Sequence, residues 1–137
     1  MNINYQRITI IKFNKPAKRD INRDLQWFGS SLGLFNLRDK DKSCFRIFID
    51  LLKSSKSGRQ ISSDEVAAHL NLTRGTVVHH LNRLMETGLV VNQKNRYFLR
   101  VENLEYLMDE IEKDINRTLS DLKEIAKSID LSLGLEQ

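Results

Sequence analysis

A mainly α fold with one small β-hairpin is predicted by three features of the sequence. Two short helical patterns stand on either side of Asn71-Leu72, and a hairpin pattern with a polar tip follows them. A single apolar stripe then continues at helical spacing for about thirty residues. Short helix, tight turn, second helix and hairpin, in that order, make a winged helix-turn-helix; the stripe adds a long C-terminal helix.

Composition narrows the class. The 137 residues are 40% hydrophobic and 29% charged, which suits one folded domain with an appendage and not a disordered chain. No apolar run approaches the ~18 residues of a membrane span, and no charged-then-apolar leader opens the chain, so a cytoplasmic, nucleoid-associated location is expected. One cysteine, Cys44, excludes a disulfide framework and a cysteine-based zinc cluster. Residues 1–100 carry eighteen basic and eight acidic side chains, whereas residues 101–137 carry four and ten. A basic body with an acidic tail points to a polyanion met by the body alone, although a solvated basic surface has the same composition.

The elements follow in order. Residues 3–13 (Ile3, Tyr5, Ile8, Ile10, Ile11, Phe13) alternate loosely and are β-branched, as in a strand or extended arm, and Asn14-Lys15-Pro16 ends it. From Asp20 the spacing Ile21, Leu25, Phe28 predicts a short helix, closed by Gly29-Ser30-Ser31. Asp39 or Asp41 can cap a helix carrying Cys44, Phe45, Phe48, Ile49, Leu51 and Leu52, broken at Ser54–Gly58. Ser62 or Ser63 can cap the next, with Glu65 at capping-box spacing from Ser62 and Val66, Ala67 and Leu70 as its apolar face. Thr73 can cap a helix through Val77, Leu81 and Leu84, and Gly88 suits the left-handed position behind it. Strands Leu89–Asn92 and Arg96–Arg100 flank the tip Gln93-Lys94-Asn95, with Tyr97 and Leu99 facing inward.

The run from Ile61 through Glu65-Val66-Ala67-Ala68-His69-Leu70 and Thr73-Arg74-Gly75-Thr76-Val77-Val78-His79-His80-Leu81-Asn82-Arg83-Leu84, continued by Met85-Glu86-Thr87-Gly88-Leu89-Val90, resembles the DNA-binding core of ArsR-like and MarR-like transcription regulators. The resemblance covers roughly residues 38–101. It implies a winged fold, a recognition helix in the major groove, a wing beside it on phosphates or the minor groove, and repression of transcription. The metal-sensing relatives it brings to mind place paired cysteines on the helix before the recognition helix, or Asp/His sets on the dimer helix. Here the former positions read Glu65 to Ala68 and the tail has no histidine, so no metal and no cofactor is expected.

At about 100° per residue, Val77, Leu81 and Leu84 share one face of helix 73–87. The opposite face and its flanks hold Gly75, Thr76, Val78, His79, Asn82 and Arg83, with no acid before Glu86. Arg83 and Arg74 suit guanine or phosphate, Asn82 adenine, and Val78 or the Thr76 methyl thymine. Gly75 admits backbone N–H groups close to a phosphate near the helix start at Thr73. Lys94 and Arg96 complete the set from the wing. Each polar residue also suits a plain solvated helix. His80 lies at the edge of the buried face and reads as packing, His69 as surface. Adjacent His79 and His80 diverge on the helix and have no third ligand at hand, which speaks against a metal pair. The basic arm (Arg7, Lys12, Lys15, Lys18, Arg19, Arg23) suits tracking a DNA backbone and equally pairing with a partner subunit.

In the tail, Val101, Leu104, Met108, Ile111, Ile115, Thr118, Leu122, Ile125 and Ile129 recur at spacings of three and four. This predicts a coiled-coil-like seam between two copies through Leu104, Met108, Ile111, Ile115, Leu122, Ile125 and Ile129. Back-packing on the chain's own body is the alternative, and both can hold for different turns. Cys44 reads as a buried apolar residue, with a redox switch as the other reading. No phosphate loop, nucleophile elbow or paired-carboxylate set is present, so an enzyme is not expected.

The expected organisation is a basic arm and short helix over 1–37, a DNA-binding winged domain over 38–101 and a dimerisation helix over 102–137. The expected function is a homodimeric repressor binding a pseudo-palindromic operator in double-stranded DNA. A winged-helix module that binds protein within a larger assembly is the alternative. It calls for an apolar outer face on helix 73–87, where the sequence places polar and cationic residues. No residue names an operator or an effector.

Overall fold

The computed structural model describes residues 5–35 and 42–135. Seven elements follow one another: α1 (Ile21–Ser31), α2 (Ser43–Lys56), α3 (Ser63–Leu70), α4 (Arg74–Thr87), β1 (Val90–Gln93), β2 (Arg96–Leu99) and α5 (Leu104–Leu133). Their order is that of a winged helix-turn-helix followed by a long helix.

Local chemistry sets most boundaries. The Asp20 carboxylate accepts the Arg23 N–H and opens α1. Ser62 and Glu65 form the reciprocal capping box that opens α3: the Ser62 hydroxyl accepts from Glu65 N–H, and the Glu65 carboxylate accepts from Ser62 N–H. Thr73 caps α4 by accepting the Thr76 N–H. Gly88 ends α4 at φ 82°, a left-handed conformation that glycine adopts without a Cβ clash. The expected cap at Asp39 or Asp41 lies outside the described residues. Helix α2 follows Lys42, itself left-handed at φ 55°, whose own side chain makes no capping bond. It also runs on through Ser54 and Ser55 to Lys56, with the Ser54 hydroxyl donating to the Asp50 carbonyl.

The hairpin pairs Val90 with Leu99 and Gln93 with Arg96, antiparallel. Lys94 and Asn95 both have positive φ (51° and 63°), the two-residue turn whose twist matches the strands. Ile61 bridges to Tyr97 on the other side of β2 and ties the start of the helix-turn-helix to the wing.

One core joins these elements. Ile47, Phe48 and Leu51 of α2, Val66 of α3, Val77, Leu81 and Leu84 of α4, Tyr97 and Leu99 of β2, and Leu107 and Ile111 of α5 are all buried together. Cys44 belongs to this core at 1% exposure, the packing role expected of it. Arg46 reaches from α2 to donate to the Leu70 carbonyl (2.8 Å), satisfying a helix end that α3 leaves open.

Two expectations are narrowed. Of the two readings of segment 3–13, strand or arm, its described residues 5–13 take the second, with no strand among them. It crosses the molecule through single bonds, Arg7 N–H to the Glu86 carbonyl and Ile11 N–H to the Ser31 carbonyl (both 2.8 Å). The tail stripe divides in two. Leu104, Met108, Ile111 and Ile115 pack on the chain's own core, Ile111 at 4% exposure, which is the back-packing alternative for these turns. From Asn116 to Leu133 every residue is exposed, and Leu122, Ile125 and Ile129 stand 50–61% open to solvent. The reason is geometric: only the first twelve of the thirty residues of α5 lie along the body, and about 27 Å of rod continues beyond it.

Candidate nucleic-acid interface

Helix α4 stands on α2 and α3 through Val77, Leu81 and Leu84, each fully buried. Its first two turns therefore point away from the core. Arg74, Gly75 and His79 are exposed there, and a Cβ built at Gly75 would meet nothing within 4 Å. That open backbone sits at a helix N-terminus, where unpaired N–H groups and the helix dipole favour an anion. Thr73 and Thr76 are engaged locally: the Thr73 hydroxyl donates to Thr76 Oγ1 (2.8 Å) as well as accepting its N–H. The Arg74 guanidinium lies 3.6 Å from Asp64, with both side chains about seven-tenths exposed, so the pair exchanges freely with solvent or phosphate.

Further along, Val78, Asn82 and Arg83 are half-buried. The arm causes this on the C-terminal turns: the Tyr5 hydroxyl bonds the Glu86 carboxylate (3.1 Å) and the Gln6 amide bonds the Thr87 carbonyl (3.1 Å). The outer face of α4 is thus polar, cationic until Glu86 in its last turn, open at its start and flanked by the arm at its end. His80 turns inward at 7% exposure, its ring edge-on to His79 at 5.2 Å. His69 is on the surface, 3.1 Å from an Asp50 oxygen.

In the wing, Lys94 is exposed at the tip. Arg96, expected beside it, is engaged elsewhere: its guanidinium holds Glu65 (2.6 Å), which also holds Arg59 (2.5 Å). The Ser62 N–H bond, together with these two arginines, keeps the Glu65 carboxyl below its ordinary range. Arg96 thereby fixes the wing to the first turn of α3.

A second polar cluster locks the arm. Asp114, 6% exposed, accepts from both Arg100 and Arg117 (2.5 Å), and from the Gln6 amide (2.8 Å). Mainly because of Arg100, its carboxyl is pushed down to about 2, and the Arg100 guanidinium is held above its ordinary value in return. Sequence reasoning missed this cluster and the approach of Arg7 to α4. The β-branched alternation of the arm was the available signal, because it required that segment to lie against something.

Among the described residues no group of three or more His, Cys, Asp or Glu side chains is placed to hold a metal ion. No helix among the described residues is long and apolar enough to cross a membrane.

Fold and surface together define a winged helix-turn-helix protein with its second helix presented outward. Residues 52–91, from the end of α2 into β1, match the family model described as "Bacterial regulatory protein, arsR family". The match spans 40 of the 137 residues, and over that stretch the chain is similar to the domain of this family. Comparison with curated proteins and with solved structures found no match to either.

Proposed function

We propose that this protein is a DNA-binding transcriptional regulator of the ArsR kind, that it acts as a homodimer reading a pseudo-palindromic operator, and that it represses by competing with the transcription machinery for promoter DNA. The observation that carries the reading is the open first half of α4, where Arg74, Gly75 and His79 face solvent with no acid on the same surface of the helix. In this reading Thr73, Arg74 and Gly75 seat the helix N-terminus on a phosphate, and Thr76, Val78, His79, Asn82 and Arg83 meet base edges in the major groove. Lys94 touches the flanking backbone, and Arg96 holds the wing in place.

The second copy is argued from α5. Leu122, Ile125 and Ile129 form an exposed stripe on a rod that leaves its own body. An identical rod, with the same alternation of Lys123 and Lys127 against Asp121 and Glu124, is its natural cover. Two winged domains joined in this way would address half-sites about 34–36 Å apart, one turn of duplex. Selection of bound fragments from a random duplex pool tests the reading. The expected product is an inverted repeat whose affinity falls steeply with salt, by about 0.9 in log K per log salt for each phosphate neutralised. Enrichment of no sequence would remove it.

A further inference from the structure

A cavity of about 390 Å³ lies between the arm, the segment Leu32–Phe35 that follows α1, and the last turns of α4. Its floor is apolar, with Leu34, Cys44 and Leu84 from the core, and its polar wall is formed by Arg7, Arg83 and Glu86. The charges on that wall do not balance. Glu86 already receives the Tyr5 hydroxyl, and Arg7 lies over the Tyr5 ring at 5.9 Å. Among the described residues, Arg83 has no hydrogen-bonding or ion-pair partner, although it is half-buried. Its planar guanidinium fork matches a carboxylate. The volume is at the lower end of those that hold small molecules.

We infer that this cavity is an effector site for a small organic acid, its carboxylate held by Arg83 and Arg7 and its apolar body against Leu34 and Leu84. Occupancy takes the Arg83 guanidinium away from the DNA face and fastens the arm to α4, so the acid releases the operator. The site itself stands on the cavity; the release rests on the proposed role of Arg83 at the duplex.

Trp27 provides a direct readout, because its indole N–H donates to the Phe13 carbonyl at the end of the arm (3.2 Å). Fluorescence of the full chain, without DNA, is titrated with straight-chain monocarboxylates from acetate to decanoate, with benzoate and phenylacetate, and with phenylacetamide as the neutral control. Saturable binding by at least one acid, absent for the amide and weakened tenfold or more in both Arg83→Gln and Arg7→Gln, is the expected result. No saturable binding across the series, or binding undiminished in both variants, overturns the site. The acid that binds is then added to the protein–duplex complex. A tenfold or greater loss of affinity supports the release, and unchanged affinity overturns it. If the acid binds but the protein selects no duplex, the effector site survives and the operator reading fails, so the two are separable.

Discussion

Asp114 is the residue on which the arm, the wing and α5 converge, and replacing it with asparagine isolates what its charge contributes. The carboxyl titrates at about 2 in the fold against an ordinary 3.8. A difference of that size corresponds to about 2.5 kcal/mol of stability at neutral pH. Arg100 and Arg117 keep 27% and 69% of their side chains exposed, so solvent screens part of the attraction. An expected loss of about 1.5–2 kcal/mol for Asp114→Asn at pH 7 follows, read as a shift in urea midpoint at constant slope. The folded value lies below the unfolded one, so between them the unfolded chain binds more protons and stability rises with pH. The wild-type advantage is therefore complete above about pH 4 and disappears as pH falls toward about 2, where the native carboxyl is protonated too. A variant within about 0.5 kcal/mol of wild type at pH 7, or a difference that does not change across the acid range, would refute the reasoning.

Three further outcomes are expected. Arg83→Ala weakens specific DNA binding by about 1–3 kcal/mol if the side chain meets a base, measured by anisotropy on the selected operator against a scrambled duplex; equal affinity for both proteins removes Arg83 from the interface. Leu122→Asp with Ile125→Asp yields a folded monomer in sedimentation, whereas Ile111→Asp, 4% exposed in the core, unfolds the chain; a double variant that keeps wild-type mass defeats the seam. Gly88→Ala costs about 1 kcal/mol or more in thermal unfolding, since φ is 82° and a Cβ would come within 2.2 Å of the Gln6 amide; wild-type stability would show that the arm does not hold that position.

What the sequence disclosed was local. Ser62 with Glu65, Thr73 and Gly88 each act within one helical turn, so their spacing alone places α3 and α4. Tyr97 and Leu99 face inward as strand alternation requires. Contacts that close over long separations were not legible. Nothing in the sequence beside Lys94 announced that Arg96 would meet Glu65 at 2.6 Å, thirty-one positions away. The tail shows a different limit. Ile111 and Ile125 share one periodic stripe, and nothing in that periodicity states where α5 leaves the body. Only the dimensions of the core decide that one is covered and the other open.

The central claim is that the first half of α4 enters the major groove, and titration of the selected duplex into ¹⁵N-labelled protein tests it most directly. Amide shifts should concentrate at Thr73 to His79 and at the wing tip around Lys94, leaving α3 near Glu65 and the rod from Asp121 to Leu133 unmoved. Shifts confined to other surfaces, with Arg74 to His79 unperturbed at saturation, would contradict it.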